Sequence, residues 1–201
     1  MREKAFLNKI VFGYHSLFPR NQLHFLDESQ VSYNIKFSQF IKQVTILKKH
    51  HNKNSFLITF DDGFQTDYIA ARFLKDETIF FINVSNIGKH GFLNEAQIKE
   101  ISDKHYIGSH SLSHCDLTKL TRSEIHKELY RSKVKLETLV NNEVDLLAFP
   151  YGKYNCTCLE VAQNVGYKYL FNTEIYNIDI NNNKNRINRI LINTCACRTV
   201  V

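Results

Sequence analysis

Short apolar runs alternate along this chain with longer amphipathic segments. The apolar runs, which we interpret as strands, cover residues 9–15, 55–60, 78–84, 105–110, 145–150, 167–172 and 189–193. Apolar residues recur with helical spacing in residues 37–49, 66–75, 94–103, 121–140 and 156–165. Strands that alternate with helices form a mostly parallel sheet with the helices outside it. Seven strands predict a closed or nearly closed α/β barrel, and an open doubly wound sheet is the alternative.

Length and composition fit one soluble domain that spans residues 1–201. The chain is 43% hydrophobic and 23% charged, which is ordinary for a globular protein. None of its apolar runs approaches the ~20 residues of a transmembrane helix, so we expect no transmembrane segment. The N-terminal residues include charges but no apolar core or small-residue cleavage site of a signal peptide, which predicts a cytoplasmic protein.

The basic residues are dispersed along the chain. The net charge is +6, but no basic cluster is interleaved with aromatic residues, so we expect no nucleic-acid partner. A solvated basic surface is the simplest interpretation, and attraction to a phosphate-bearing substrate or to an anionic membrane surface is the alternative. The five cysteines include the pairs Cys156/Cys158 and Cys195/Cys197, whose spacing is too short for a zinc knuckle. We therefore predict reduced thiols, with a second metal site or a disulfide as the alternatives.

The strand at residues 55–60 runs directly into two adjacent carboxylates, Asp61 and Asp62, followed by Gly63. Adjacent carboxylates repel each other, and their burial is costly unless a cation or a proton neutralises one of them. Successive strand residues point to opposite sides, so both can face one pocket only where the strand breaks, and Gly63 permits that break. The pair therefore indicates a cation, with one Asp as its ligand and the other available as a base.

Two histidines follow another predicted strand with three residues between them, at positions 110 and 114. They share one face if the segment makes a helical turn, and one carboxylate with two histidines is a three-ligand set for zinc. Catalytic residues of parallel α/β proteins gather where strands end. Asp-Asp-Gly and His-x3-His together therefore predict a metal site. A non-haem iron site with the same ligand types is an alternative, but it gives the second Asp no role.

Several motifs resemble those of the polysaccharide deacetylase family, which is carbohydrate esterase family 4, the nodulation-type chitooligosaccharide deacetylase homology domain. TFDDG (59–63) and HSLSHCDLTKLT (110–121) resemble its first two motifs, and FPYG (149–152) resembles its third. YHSLFP (14–19) resembles the circularly arranged branch, in which the strand that carries the last catalytic His comes first. The resemblance covers residues 9 to 193 and implies a distorted (β/α)7 barrel.

The resemblance also implies a role for each residue that matches a motif. These are Asp61 as general base, His15 as general acid, the backbone N–H of Tyr151 as oxyanion donor, and Asp62, His110 and His114 as metal ligands. The implied cofactor is one divalent metal ion, with Zn²⁺ expected and Co²⁺ or Ni²⁺ as alternatives.

The chain departs from the family pattern in two places. Other members have an Arg shortly before the Pro of the third motif, where it braces the base, but here Leu147, Ala148 and Phe149 occupy those positions. The fourth motif, usually with Asp and Trp, is not recognisable, and the chain has no Trp. Arg189, at the start of the last predicted strand, is our candidate brace, with a structural or surface Arg as the alternative. Residues 176–188 are Asn-rich, which predicts a surface loop or a weak hairpin.

The resemblance implies a metal-dependent hydrolase that removes an N-acetyl or N-formyl group from an amino sugar. An O-acetyl esterase, another metal-dependent amidase on the same site, and a carbohydrate-binding protein without activity are alternatives. Because we see no signal peptide, we expect the acetylated sugar to be linked to a nucleotide or a lipid. The sequence leaves the oligomeric state open.

Overall fold

Parallel strands arranged in sequence order close into a barrel in the computed structural model, which describes residues 9–19, 28–52, 55–173 and 186–193. The strands are β1 (Ile10–Tyr14), β2 (Phe56–Phe60), β3 (Ile79–Ile82), β4 (Tyr106–Ser109), β5 (Leu146–Ala148), β6 (Tyr169–Asn172) and β7 (Arg186–Leu191). The last strand pairs with the first, with Val11 opposite Arg189. The predicted seven-stranded α/β barrel is confirmed, and the open sheet is excluded.

Helices pack around the outside of the barrel. They are α1 (Glu28–Tyr33), α2 (Phe37–His50), α3 (Thr66–Phe73), α4 (Glu95–Ser102), α5 (Arg122–Val140) and α6 (Cys156–Val165). The predicted start of α5 is confirmed: Thr121 and Glu124 form a capping box that satisfies the free N–H groups of the first turn. The short α1 was not predicted. Among the described residues, no helix is both long enough and apolar enough to cross a membrane.

Alternation along the strands separates two apolar cores. Residues that point into the barrel, such as Leu57, Phe81 and Phe171, form one buried cluster. Residues that point outward, such as Phe60 and Phe80, pack against the helices in a larger cluster. The inner cluster is small. Inward-pointing side chains near the ends of different strands therefore lie close together.

The last strand begins earlier than predicted. We placed it at residues 189–193, and the Asn-rich segment at 176–188, but Arg186, Ile187 and Asn188 already belong to β7. In the missed segment only Ile187 is apolar and buried, and it lies between Arg186 and Asn188, which are partly buried polar residues. A segment with one apolar residue in three does not form an apolar run, so the start of the strand was placed too late. Residues 176–185 of the Asn-rich segment, and the Cys195/Cys197 pair, lie outside the described residues.

Close packing inside the barrel predicts different costs for two glycine substitutions. A Cβ at Gly108 would lie 2.4 Å from the ring of Phe81 and 3.2 Å from Leu146 Cβ, which are both buried. We expect Gly108→Ala to lower the free energy of unfolding by about 1–3 kcal/mol, measured by urea denaturation. A Cβ at Gly13 would instead meet the tip of the Leu191 side chain, which can move, so Gly13→Ala should cost less. A larger loss for Gly13→Ala would contradict this account.

Candidate active site

The residues predicted to act together line one cavity of about 330 Å³ at the carboxyl end of the strands. His15, Asp61, His110, Phe149 and Thr173 each directly follow a strand. The full lining is His15, Gln30, Tyr33, Asp61, Asp62, His110, His114, Phe149, Tyr151, Gly152, Thr173, Arg189 and Leu191. All seven residues singled out from the sequence are in this set.

A larger cavity, about 670 Å³, lies beside α2 and α3. It is lined by groups such as Leu17, Phe37 and Ile69 and includes no carboxylate or imidazole. We therefore assign the chemistry to the smaller cavity, since reactive groups and not volume decide where a reaction can occur.

The barrel register explains how residues far apart in sequence meet. Tyr14 of β1 is opposite Phe60 of β2, so His15 and Asp61 follow at the same level. The Asp61 N–H donates to the Tyr14 carbonyl at 2.9 Å, which continues the pairing by one residue. Because side chains alternate along a strand, both His15 and Asp61 fall on the inward side.

Arg189 crosses the barrel interior and binds Asp61 with both terminal nitrogens. Nη1 donates to Oδ1 at 2.6 Å, and Nη2 donates to Oδ2 at 2.8 Å. Nη1 also donates to the Thr59 hydroxyl at 3.1 Å, and the guanidinium lies 5.1 Å from the centre of the Phe81 ring. Both charged side chains are nearly inaccessible, at 1% exposure for Arg189 and 3% for Asp61. This is a buried two-point ion pair, the geometry that favours Arg over Lys.

The ion pair keeps Asp61 ionised. Burial alone would raise the pKa of Asp61, but the positive charge of Arg189, with smaller effects of His110 and His15, holds that pKa well below its ordinary value. The folded-state pKa is therefore lower than that of an unfolded Asp. The pair stabilises the fold above the ordinary carboxyl range, and this contribution is lost as the pH falls toward the folded-state value.

Asp62, His110 and His114 surround one point with their ligand atoms. Oδ1 of Asp62 lies 3.2 Å from Nε2 of His114 and 3.6 Å from Nε2 of His110, and the two Nε2 atoms are 3.2 Å apart. Tetrahedral zinc with bonds of about 2.0–2.1 Å would separate its ligand atoms by roughly 3.3–3.4 Å. The donor set and its spacing therefore fit a small divalent metal ion.

The ring of His110 is oriented for ligation by its second nitrogen. Nδ1 lies 2.8 Å from the Ala148 carbonyl oxygen, which can only accept, so Nδ1 must carry the proton. Nε2 then presents a lone pair toward Asp62 and His114. Burial also lowers the pKa of His110 to about 3, which keeps the ring neutral at physiological pH. A fixed tautomer with a neutral ring is the form that binds metals.

Helix α5 and serine side chains support the loop between the two histidines. The His114 N–H donates to the Ser111 hydroxyl at 3.0 Å, and the Ser111 N–H donates to the Ser109 hydroxyl at 3.1 Å. From α5, Ser132 lies 2.7 Å from the Ser109 hydroxyl, and Glu128 accepts from both the backbone and the hydroxyl of Ser113. These contacts fix the shape of the loop that holds both histidines.

Unfavourable backbone conformations concentrate at this cavity. Of the five non-glycine residues with positive φ in the described ranges, four belong to the motifs: Asp62, Ser111, His114 and Tyr151. The fifth, Asn141, ends α5. Such conformations each cost on the order of 1–3 kcal/mol and persist where surrounding contacts enforce them. The predicted strand break at Gly63 is confirmed, but Asp62 itself is left-handed as well, with φ of 73°.

His15 and Tyr151 line the cavity next to different groups. Nε2 of His15 lies 4.0 Å from Oδ2 of Asp61. The Tyr151 ring is 4.7 Å from the ring of His114 and is 58% exposed. The cavity thus combines two candidate proton-transfer groups, three candidate metal ligands and an exposed aromatic side chain.

Sequence reasoning missed some residues of the site. Thr59, which holds Arg189, is a polar residue in an otherwise apolar strand, a signal that could have been used. Tyr33 lies against His15, and nothing in the sequence around it marks it.

Asp67 is fully buried close to Asp61 and Asp62, and its carboxyl oxygens make no hydrogen bond of normal geometry to described residues. Burial, and then the negative charges of Asp62 and Asp61, raise the pKa of Asp67 well above its ordinary value.

Comparison with known proteins agrees with this geometry. The polysaccharide deacetylase family model matches residues 48–170, more than half of the chain. The chain belongs to the polysaccharide deacetylase family. The chain is 31% identical to the putative polysaccharide deacetylase YxkH of Bacillus subtilis over an alignment of 132 residues, which covers 63% of this chain and 47% of that protein. The chain therefore spans about half the length of YxkH.

Two further matches connect the family to glycan chemistry and to the barrel. A poly-β-1,6-N-acetyl-D-glucosamine N-deacetylase of Staphylococcus aureus is 27% identical and aligns with 93% of this chain and 79% of its own length. The structure of the Streptococcus pyogenes deacetylase PplD in complex with acetate superimposes with a TM-score of 0.78, covering 92% of both chains at 20% identity. The second match supports the fold alone.

The buried ion pair predicts a large effect of Arg189→Met. Removing one partner would leave the other charge buried, so we expect the free energy of unfolding to fall by about 3–5 kcal/mol, measured by urea denaturation. Arg122→Met is a matched control, because Arg122 pairs with Glu160 on the surface and both side chains are more than half exposed. The control should change stability little. Equal, small effects of the two substitutions would contradict the assigned importance of the buried pair.

Proposed function

We propose that this protein is a metal-dependent hydrolase that removes the N-acetyl group from an amino sugar of a glycan or glycan precursor. The observation that carries the proposal is the grouping of Asp62, His110 and His114 around one point, with Asp61 and His15 on the same cavity. The family, and the glycan named for the S. aureus relative, support the same substrate class.

Asp62, His110 and His114 would hold the metal ion, and Zn²⁺ fits their donor types and spacing best. Co²⁺ and Ni²⁺ accept the same ligands and are distinguished from Zn²⁺ by metal analysis. When bound, the ion would act as a Lewis acid on the acetyl carbonyl and make an attacking water more acidic.

Asp61 would accept the proton of the attacking water. Its pairing with Arg189 keeps the carboxylate ionised and fixes its direction, although a low pKa makes it a weak base. Arg189 acts here as the brace that other family members place in the third motif. The backbone N–H of Tyr151 would donate to the oxyanion, a role that stays a prediction.

His15 would protonate the departing sugar nitrogen, because a deprotonated amine is too basic to leave in water. An ester needs this step far less, since its leaving group is more stable as an anion. The presence of an imidazole beside the candidate base therefore favours N-deacetylation over O-deacetylation. O-acetyl esterase activity is the second candidate, and the two are separated by assaying matched N-acetyl and O-acetyl sugars.

The carrier of the sugar and the cytoplasmic location stay predictions. Mass spectrometry of acetate release from free, nucleotide-linked, lipid-linked and polymeric N-acetyl sugars, each with added metal, would test the substrate. Release from none of them with Zn²⁺, Co²⁺ or Ni²⁺ present would contradict the proposed activity.

The two adjacent carboxylates should respond differently to substitution. We expect His114→Ala and Asp62→Asn to lose bound metal, and Asp61→Asn to keep it while turnover falls at least about a hundredfold. Elemental analysis of the purified variants measures the metal, and His126→Ala, an exposed histidine on α5, is the control that should keep it. Equal metal loss in Asp61→Asn and Asp62→Asn would show that the two roles are divided wrongly.

The leaving group should reveal the role of His15. We expect His15→Ala to reduce turnover of an N-acetyl sugar by roughly a hundredfold or more, the usual scale for general acid catalysis. The loss on an activated aryl acetate should be much smaller, because its leaving group departs without a proton. Steady-state rates on both substrates measure the difference, and equal losses would refute the general-acid role.

A further inference from the structure

The His15 imidazole lies flat against the side chain of Tyr33, the last residue of α1. The two ring centres are 4.6 Å apart, and the planes are inclined by 27°. Both residues line the same cavity as the candidate metal ligands. Tyr33 is half-buried, so its ring forms part of the cavity wall.

Hydrogen bonds to described residues do not hold this imidazole. Nδ1 of His15 is buried and has no hydrogen-bond partner within the described ranges, and Nε2 is 4.0 Å from the nearest Asp61 oxygen. A hydrogen bond at one ring nitrogen normally fixes the tautomer and angle of a functional histidine. His110 in the same cavity has such a bond to the Ala148 carbonyl. The orientation of His15 therefore needs another source.

We propose that Tyr33 is a positioning residue that holds the His15 ring by stacking, with Nε2 on the side of the cavity occupied by Asp61. The inference rests on the proposed function for its catalytic consequence, but the packing itself can be tested without activity. Stacking restricts rotation of the imidazole about its Cβ–Cγ bond, so loss of the Tyr33 ring lets Nε2 leave the direction of the departing nitrogen. Tyr33 acts through His15 and does not exchange protons with the substrate.

Three variants separate stacking from other effects of Tyr33. Tyr33→Leu keeps an apolar side chain and removes the ring, whereas Tyr33→Phe keeps the ring and removes only the hydroxyl. Tyr130→Leu is the matched control, because Tyr130 on α5 stacks on the exposed His126 with ring centres 5.5 Å apart and planes inclined by 13°.

Kinetics on two substrates test the catalytic consequence. We expect Tyr33→Leu to lower kcat on an N-acetyl sugar by about tenfold, the factor that corresponds to one aromatic pair, with little change on an activated aryl acetate. Tyr33→Phe should retain most of the activity, and Tyr130→Leu all of it. Added to His15→Ala, the Tyr33→Leu change should cause no further loss. A further tenfold loss in that background, or equal losses on both substrates, would overturn the proposal.

NMR of the histidine side chains gives a readout that does not depend on turnover. The His15 ring resonances, assigned from their absence in His15→Ala, should move in Tyr33→Leu because the ring-current shift is lost. They should stay in place in Tyr130→Leu. Unchanged His15 resonances in Tyr33→Leu would refute the stacking even in a fully active enzyme. A moved resonance in a protein that releases no acetate would instead uphold the stacking and refute the proposed activity.

Discussion

A buried ion pair between Asp61 and Arg189 determines how the interior of this barrel is built. Neither charge could remain inside the barrel without the other, because desolvation of a lone carboxylate or guanidinium is too costly. The pair accordingly needs specific neighbours: the Thr59 hydroxyl accepts from Arg189, and the Phe81 ring lies beneath the guanidinium. Gly13 leaves room for the side chains of β7 on the inner face of β1. Thr59, Phe81 and Gly13, which are far apart in sequence, thus all accommodate the ion pair between Asp61 and Arg189.

Strained backbone conformations lie around the candidate site and not within the strands. The strands and the helix-facing core have ordinary conformations, while left-handed backbone is concentrated at Asp62, Ser111, His114 and Tyr151. The serine and Glu128 contacts behind the histidine loop offset part of that cost and keep the ligand atoms close together. A metal ion bound there would favour the same conformations, so binding and backbone geometry support each other.

Much of this could be predicted from the sequence, because strand ends of a parallel barrel meet at one edge. Asp-Asp-Gly after an apolar strand and His-x3-His after another were enough to place Asp61, Asp62, His110 and His114 together. The predicted start of β7 was wrong, because Ile187 is the single apolar residue between Arg186 and Asn188 and no apolar run marks these residues as strand. Tyr33 could not have been found, because its importance comes from a contact across 18 residues with His15, which local periodicity does not record.

The pairing of β1 with β7 also has a consequence while the chain is being synthesised. Asp61 is synthesised early, and its counter-charge is 128 positions later, in the strand that closes the barrel. A nascent chain that has not yet reached β7 therefore has an open interior and an Asp61 carboxylate without its counter-charge. Closure of the barrel by β7 also brings Arg189 to Asp61. Fragments that end before Arg186 lack both the closing strand and the partner of Asp61, so they cannot form the buried ion pair.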